Sequence, residues 1–407
     1  MFYVVMFFLS PLIFLLNKIL PLSKGKILFY SKRGIFHGNP KHFYNYLIDK
    51  KWGHPIWITN STNVYNYLCQ EYSKRYVLLR KGIIGNIKYI FHYLTSSAVI
   101  TRGRNDFWDI LKFTKTKRRK VINLGHGTLV PGNKKTGVEI RSSKKAIRIE
   151  IKRRRAVTYY TMCSDLEKYI RAASYYVNIK NFVVTGSPRS DILINSRDKQ
   201  QATLKFLIKL IEPKVDFKKV ILYAPTHRDA GRWKDGVHKS AFFPFSDFEI
   251  RRLQVFLEKN SAIVLLRTHD SENRFKIKDK SQTESIVDNK RIFYFSHSVL
   301  LDVNEILPAV DLLITDYSSI ATDFLLCNKP IIYVPYDLEN YHRGIILEFY
   351  RWTPGKKVLE FGDLINAAQE YLDNPDKDSE ERERSTEIFH QYRDGKSCER
   401  ILNLIIN

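Results

Sequence analysis

The stretch that most constrains the fold covers residues 311–337 and reads DLLITDYSSIATDFLLCNKPIIYVPYD. Its pattern predicts a buried strand, a polar turn, a short helix over 320–327 and a second buried strand, because short continuous apolar runs are typical of a parallel sheet covered on both faces. Ser318 and Ser319 occupy the turn. Backbone N–H groups at such a turn, with the positive end of the helix dipole, favour a phosphate group. A serine-capped helix without a ligand is the alternative interpretation.

The rest of the chain alternates between strand-like and helix-like segments. Further strands are predicted at 26–31, 55–59, 98–101, 120–124, 156–163, 182–185, 219–223, 262–266 and 291–295. Helices are predicted at 39–50, 63–72, 86–93, 248–259, 303–307, 361–371 and 380–406, the last interrupted near 395. This order predicts an α/β protein with two doubly wound, Rossmann-like sheets facing a cleft, whose ligands bind beyond the carboxyl ends of the strands. No strand is followed by the three spaced glycines of a dinucleotide site or by a Walker A loop, so these two motifs are excluded.

A charged helical connection over 191–216 marks the boundary between the two sheets. The domains predicted from it are a membrane-associating segment (1–23), an acceptor-side domain (24–195), a donor-binding domain (196–375) and C-terminal helices (376–407).

The first of these segments is apolar from 2 to 16 and then reaches Asn17 and Lys18. It lacks the basic start and the cleavage site of a signal peptide, and it is shorter than the about 20 apolar residues that span a bilayer. We therefore expect a re-entrant or interfacial segment on the cytoplasmic side of the cell membrane. A helix docked on the protein's own core is the alternative.

The net charge of +25 favours polyanionic partners,. The segment 134–155 is especially basic, and its candidates for binding a polyanionic acceptor or the membrane surface are Lys134, Lys135, Arg153, Arg154 and Arg155,. A solvated helix face is the alternative. No aromatic residue lies among these cations, and single-stranded nucleic acid needs such stacking partners, so no nucleic acid partner is predicted. The four cysteines show no paired spacing, which indicates a reducing compartment,.

Polar side chains follow the predicted strands in both halves. His126 follows a strand of the first half, and His269 follows one of the second, two residues after Arg267. The candidates for holding a pyrophosphate in the second half are Arg267, Thr226, Arg228, Asp316, Ser318 and Ser319,. A neutral histidine near pKa 6.5 accepts a proton from a hydroxyl at physiological pH. We therefore predict that His126 is catalytic as the acceptor of this proton, and that His269 is catalytic among the groups that hold the pyrophosphate.

Several short motifs occur in a fixed order along the chain. They are Gly-His-Gly-Thr (125–128), Gly-Ser-Pro-Arg-Ser-Asp (186–191), Tyr-Ala-Pro-Thr-His-Arg (223–228), Arg-Thr-His (267–269), Thr-Asp-Tyr-Ser-Ser (315–319) and Lys-Pro-Ile-Ile (329–332). This ordered set resembles the CDP-glycerol glycerophosphotransferase family of teichoic acid primases and polymerases over roughly residues 24–370,.

The resemblance implies a GT-B-like fold. It also implies transfer of glycerol phosphate, or a related polyol phosphate, from a CDP-activated donor to a hydroxyl of a lipid-linked or polymeric acceptor, with CMP leaving, in teichoic acid or capsule synthesis. His126 and His269 correspond to the two functional histidines of the family, and Arg228, Ser318 and Ser319 fall on its donor-binding motifs.

The chain departs from the family pattern at three places. Gly125 stands where the family has a tryptophan before the first histidine, and residues 129–131 stand where it has a lysine shortly after that histidine. Asp270 stands where the family has a proline after the second histidine. These changes lie around the acceptor side and one wall of the donor site, so they bear on the identity of the polyol and the acceptor.

No cluster of acids at metal-ligand spacing is present in the sequence, and no metal site is predicted. Asp316 and Asp323 are the candidates for helping to bind Mg²⁺ if it is used,. A homo-oligomer is compatible with the sequence. Two other functions remain open, namely a GT-B glycosyltransferase that uses a nucleotide sugar and a non-catalytic protein that binds polyanions or membranes.

Overall fold

The structure is a computed structural model. It describes residues 10–31, 34–103, 110, 118–125, 127, 144–226, 242–267, 290–339, 341 and 347–407. These residues form two compact units. The first unit contains the described residues before 128, those from 144 to 191, and 390–407, and the second unit contains those of 192–389.

The first unit is built on a seven-stranded parallel sheet. Its strands are β1 (Ser23–Tyr30), β2 (His54–Thr59), β3 (Val77–Leu79), β4 (Ser96–Thr101), β5 (Lys120–Asn123), β6 (Tyr159–Met162) and β7 (Phe182–Val184), in the order β3-β2-β1-β4-β5-β6-β7. Its helices are α1 (Ser10–Ile19), α2 (Gly38–Asp49), α3 (Thr62–Glu71), α4 (Gly82–Thr95), α5 (Lys144–Arg155) and α6 (Asp165–Tyr175).

The first sheet is covered on both faces because its strands are apolar at every position of their centres. Leu28 and Val99 pack with α1 and α4, whereas their chain neighbours Phe29 and Ile100 pack with α2. This alternation follows from the two-residue period of a strand.

The second unit is also built on a parallel sheet, which has six strands. They are β8 (Lys219–Tyr223), β9 (Ala262–Leu266), β10 (Ile292–Tyr294), β11 (Leu312–Thr315), β12 (Ile331–Tyr333) and β13 (Lys356–Lys357), in the order β10-β9-β8-β11-β12-β13. Its helices are α7 (Ser196–Ile211), α8 (Ile250–Lys259), α9 (Ile320–Phe324), α10 (Phe349–Trp352), α11 (Phe361–Asp373) and α12 (Ser379–Phe389). The strand order reverses between β8 and β11, which is where doubly wound folds bind ligands.

The last helix of the chain, α13 (Ser397–Ile406), belongs to the first unit. Ile401 and Leu402 pack in the same cluster as α2, and Asp191 accepts hydrogen bonds from Ser397 N and Oγ at 3.0 and 2.6 Å. The predicted C-terminal segment of 376–407 is therefore divided, with α12 in the second unit and α13 in the first.

The predicted α/β class with parallel sheets is confirmed. Sequence analysis missed β3, β13, α6 and α10. The two strands are only three and two residues long, at sheet edges, and such lengths leave no readable period,. α6 begins at a serine N-cap, since Ser164 accepts a hydrogen bond from Glu167 N, and this capping signal was available in the sequence,.

The N-terminal helix α1 is docked on the first unit through one side. Ile13 is 3% exposed in a cluster shared with Tyr89 of α4, and Arg118 Nη2 donates to Leu20 O just after the helix at 2.9 Å. Among the described residues, the structure contains no helix whose length and apolarity would let it cross a bilayer. The docked-helix alternative thus describes the inner side of α1, and the expected re-entrant or interfacial association of residues 1–23 with the membrane remains a prediction.

Candidate active site

A buried carboxylate joins the ends of β8 and β11 at the point where the second sheet reverses its order. Asp316, directly after β11, is 2% exposed. Its Oδ1 accepts hydrogen bonds from Thr226 N at 2.8 Å, from Thr226 Oγ1 at 2.6 Å and from Tyr317 N at 2.5 Å. Asp316 therefore fixes the loop after β8, which leads towards Arg228, against the turn that carries Ser318. Three protein donors therefore contact Oδ1, and the role of Asp316 in binding Mg²⁺ stays a prediction from the sequence.

The predicted phosphate-facing turn lies where the sequence placed it. Ser318 and Ser319 are half-buried and lead into α9, which is followed by a short 3₁₀ turn, Leu325–Cys327. The side chain of Ser319 does not cap the helix. The turn is therefore not the simple serine-capped helix of the alternative interpretation.

A small hollow lies beside this turn within the second unit, and the roughly 280 Å³ of empty space around it includes open solvent. Its lining residues are Asp316, Tyr317, Ser318, Ala321, Thr322, Leu325, Tyr333, Phe349, Trp352, Thr353, Pro354 and Phe389. The rings of Tyr333 and Phe349 meet edge to face, with centroids 5.7 Å apart,. Its lining is thus largely aromatic and includes Ser318, while the rings of Tyr333 and Phe349 are almost fully buried, at 2% and 3% exposure.

Arg267 follows β9 but is turned into the protein. It is 5% exposed, and its Nη1 donates to the carbonyl oxygens of residues 295, 296 and 300 at 3.3, 2.9 and 2.6 Å, while Nη2 donates to that of Leu301 at 3.2 Å. These contacts hold the loop after β10. They correct the expectation that this guanidinium faces a pyrophosphate, because its two terminal nitrogens are used on the backbone.

Asn39 and Asn123 organise the carboxyl edge of the first sheet. Asn39 Nδ2 donates to Leu124 O at 2.7 Å, and Asn39 Oδ1 accepts from Ser187 Oγ at 2.7 Å and from Arg189 N at 3.0 Å. Asn123 Oδ1 accepts from Gly125 N at 2.8 Å. Sequence analysis singled out neither asparagine, although Asn39 lies in a Gly-Asn-Pro start of a helix that follows a strand.

A cation lies at the amino end of α2 beside these residues. Arg102 Nη1 contacts His37 Nε2, and Arg102 Nε is 3.4 Å from the position that a Cβ of residue 38 would take. His37 precedes the helix and does not cap it through its side chain. The loops after β1 and β4 therefore add an arginine and a histidine to this edge, which sequence analysis also missed.

Part of the predicted basic surface is buried. Arg154 is 4% exposed, its Nε donates to Glu150 Oε1 at 2.9 Å, its Nη1 donates to Ser174 O at 3.0 Å, and its guanidinium lies over the Tyr175 ring. Arg154 therefore ties α5 to α6, and its assignment to acceptor binding is corrected because a polyanion in solution does not reach it. Arg155 is exposed and Arg153 half-buried, so these two remain candidates.

Five other predicted site residues lie outside the described residues, namely His126, His269, Arg228, Lys134 and Lys135. Their roles remain predictions from the sequence.

Two buried cysteines are unsuited to nucleophilic chemistry. Burial raises the pKa of the Cys327 thiol to about 11 and that of Cys398 well above its usual value. Both thiols are therefore protonated at neutral pH.

Two parallel sheets, one of which carries a hydroxyl-bearing turn at its reversal point, place the chain among doubly wound α/β proteins, which bind ligands at such a point,. The sequence profile of the CDP-glycerol:poly(glycerophosphate) glycerophosphotransferase family matches residues 12–407. The chain belongs to this family.

Curated relatives agree with this membership. Teichoic acid ribitol-phosphate polymerase TarL of Staphylococcus aureus is 30% identical over 406 residues, which cover 97% of this chain and 65% of TarL. Teichoic acid glycerol-phosphate primase of Bacillus subtilis is 28% identical over 342 residues, which cover 82% of this chain and 79% of the primase. The chain thus spans about two-thirds of the length of TarL.

A solved structure of the wall teichoic acid polymerase TagF has a TM-score of 0.73 with this chain at 22% identity, covering 99% of this chain and 95% of the chain in that structure. At this identity the likeness concerns the fold.

Proposed function

We propose that the chain transfers glycerol phosphate, or a related polyol phosphate, from a CDP-activated donor to a hydroxyl of a lipid-linked or polymeric acceptor, with CMP as the leaving group, in the synthesis of teichoic acid or a similar capsule polymer. Family membership over 12–407 supports the reaction class. The observation that carries the proposal is the turn at Ser318, which lies beside a small hollow where the second sheet reverses its order. That is where this fold class binds a nucleotide.

We assign donor binding to the second unit. In this assignment the pyrophosphate lies at Ser318 and Ser319, and the nucleoside lies beside the turn that carries these two residues. Arg228, placed by the sequence two residues after Thr226, supplies the positive charge that Arg267 does not,. Asp316 acts indirectly, since it holds the Thr226 loop in place.

We assign activation of the acceptor to His126 in the first unit. The acceptor hydroxyl gives its proton to His126 as its oxygen attacks the distal phosphorus of the donor. The new P–O bond forms while the bond from that phosphorus to the bridging oxygen breaks, and CMP leaves with the electron pair. His269 and Arg228 stabilise the charge on the leaving phosphate. Positioning and charge stabilisation supply most of the rate enhancement in phosphoryl transfer of this kind.

CMP release measured with different donors tests this assignment. Turnover is expected with CDP-glycerol or CDP-ribitol and an acceptor, and not with UDP-sugars. Release of UDP from a UDP-sugar would instead favour a GT-B glycosyltransferase. Binding of an anionic polymer without release of any nucleotide would favour the non-catalytic alternative.

Histidine variants test the two catalytic assignments. His126→Ala and His269→Ala are each expected to lower turnover by at least about 100-fold while the circular dichroism spectrum is retained. His54→Ala is the matched control, because His54 lies at the amino end of β2, away from the edge where ligands bind. Turnover within about threefold of wild type in His126→Ala or His269→Ala would remove that residue from its role.

We further propose that the first unit seats on the cytoplasmic face of the cell membrane through the outer surfaces of α1 and α4, which lie against each other. The strongly exposed apolar side chains there are Leu12, Leu15 and Ile19 of α1 and Ile83, Ile84, Ile87 and Phe91 of α4. No Asp or Glu occurs in 1–48 or 72–105, whereas Lys18, Lys81 and Lys88 lie exposed on or beside these helices. An apolar stripe on segments that carry cations and no acid fits an anionic lipid surface.

Vesicle sedimentation tests this surface. The chain is expected to bind vesicles of phosphatidylcholine with phosphatidylglycerol more tightly than phosphatidylcholine alone, and Ile84→Glu is expected to weaken binding about tenfold or more. Leu359→Glu is the matched control, since Leu359 is 59% exposed in the second unit and Ile84 is 70% exposed. Equal losses in the two variants, or none in Ile84→Glu, would contradict the proposal.

A further inference from the structure

Three hydrogen bonds fix the backbone of Leu124 and Gly125, the two residues before residue 126, in the first unit. Leu124 N donates to Thr101 O at 2.9 Å, Leu124 O accepts from Asn39 Nδ2 at 2.7 Å, and Gly125 N donates to Asn123 Oδ1 at 2.8 Å. Gly125 has φ +67°, a left-handed conformation that glycine adopts without strain,. The backbone just before His126 is therefore bound at each polar atom from Leu124 N to Gly125 N.

The two asparagines use different halves of their amides in these contacts. Asn39 needs both halves, because its Nδ2 donates to Leu124 O while its Oδ1 accepts from Ser187 Oγ and Arg189 N. Asn123 needs only its oxygen in the contact with Gly125 N. The two side chains are similarly buried, with residue exposures of 4% and 7%. Replacement by aspartate, which accepts but does not donate when ionised, should therefore disrupt one contact and preserve the other.

We infer that Asn39 is a positioning residue of the transfer reaction, and that it acts by fixing the backbone from which His126 projects. The inference rests on the proposed function, in which His126 takes the proton of the acceptor hydroxyl. Asn39 connects the loops after β1, β5 and β7, so a local change at this residue is transmitted to the segment that carries the base. A displacement of a catalytic group by about 1 Å can cost about 100-fold in rate.

Asn39→Asp disturbs the backbone at Leu124, because Asn39 Nδ2 donates to Leu124 O and aspartate has no such donor,. The substitution places a carboxylate oxygen against Leu124 O, so two acceptors face each other where a hydrogen bond existed. The backbone of Leu124 and Gly125, which directly precedes residue 126 in the chain, shifts to separate them. Donor binding, assigned to the second unit, does not depend on this segment. The loss therefore falls on kcat and leaves the KM for the donor within about twofold of wild type.

The experiment compares Asn39→Asp with Asn123→Asp in the full chain, with CMP release from CDP-glycerol or CDP-ribitol as the readout. Asn39→Asp is expected to lower kcat by about 10- to 100-fold, and Asn123→Asp is expected to keep at least about a third of it. Ser187→Ala, which removes one donor to Asn39 and leaves the Leu124 contact, is expected to have an effect of less than about fivefold. Circular dichroism and thermal melting establish folding, and Asn39→Ala, with the same expected loss, replaces Asn39→Asp if the latter does not fold.

Each outcome decides the inference. It is overturned if the Asn39 variant keeps kcat within about threefold of wild type, if the two aspartate variants lose kcat equally, or if the donor KM rises while kcat is unchanged. His126→Ala in the same assay separates failure of the positioning role of Asn39 from failure of the proposed role of His126 as the base. An inactive His126→Ala with a normal Asn39→Asp removes only the positioning role, whereas an active His126→Ala removes the proposed base as well.

Discussion

The hydrogen bonds that Asp316 accepts in the second unit should make Asp316→Ala strongly destabilising. The substitution leaves Thr226 N, Thr226 Oγ1 and Tyr317 N without their acceptor at a site where the carboxylate was 2% exposed. Loss of a hydrogen bond to a charged group costs about 1.5–3 kcal/mol. The three contacts share one oxygen and are not additive, and water entering from the adjacent hollow compensates part of the loss. We therefore expect a decrease of about 3–5 kcal/mol in the free energy of unfolding, a large part of the 5–15 kcal/mol typical of a domain.

A double-mutant cycle with Thr226→Val isolates the hydroxyl contact. Thr226→Val alone removes only the 2.6 Å bond from Oγ1 and is expected to cost about 1–2 kcal/mol,. Asp316→Ala already removes that bond, so adding Thr226→Val costs little more. The destabilisation of the double variant should therefore be smaller than the sum of the two single destabilisations by about 1 kcal/mol or more. Urea unfolding followed by circular dichroism measures all four proteins. Ser318→Ala is the control, because Ser318 is half-buried in the same turn and is expected to change stability by less than about 0.5 kcal/mol. Additive effects within about 0.3 kcal/mol would refute the argument that Asp316 and Thr226 act as one unit.

Three further outcomes are expected from the same structure. Arg267→Lys should lower the free energy of unfolding by about 2–4 kcal/mol, because an ammonium cannot span the four carbonyls that the guanidinium binds,; an unchanged melting temperature would contradict this. Arg154→Ala should destabilise the chain, whereas Arg155→Ala should leave its melting temperature unchanged and weaken retention on poly(glycerol phosphate); the reverse pattern would restore Arg154 to the acceptor surface. Burial, with smaller effects of Lys26 and other nearby cationic groups, lowers the pKa of His92 to about 4, so His92 stays neutral in the folded chain while it protonates near pH 6.5 when unfolded,. Stability should therefore fall between pH 6.5 and 4, by about 1–2 kcal/mol after allowance for the partial exposure of the ring, and His92→Gln should flatten this dependence in melting experiments at pH 7 and pH 5.

Much of the local structure could be predicted from the sequence because buried parallel strands are continuous apolar runs. β8 and β9 begin and end where the pattern placed them, and the strand, turn, helix and strand of 311–337 all appear. The turn at Ser318 was also predictable, since polar residues directly after a buried strand mark the edge where doubly wound sheets bind ligands.

The roles of individual charged and polar residues were less predictable. Arg267 and Arg154 are cations next to predicted binding elements, and the sequence favoured contact with an anion for both. Arg267 instead binds carbonyls up to 34 residues further along the chain, and Arg154 binds Ser174 O, 20 residues away. Whether a guanidinium faces solvent or the backbone depends on which distant carbonyls need a donor, and no local pattern records that need.

Asn39 shows, for a residue of the candidate site, which features the local sequence predicts and which only the folded structure reveals. Its place at the start of a helix after a strand can be read along the chain, but its partners Leu124 and Ser187 lie 85 and 148 residues away. Periodicity and turn chemistry act over a few residues, so they determine the strands, the helices and the edge where ligands bind. Burial and hydrogen-bond pairing act between segments that only folding brings together. The tertiary structure alone therefore decided which polar side chains support the backbone, which remain available to a substrate, and that the last helix packs with the first unit.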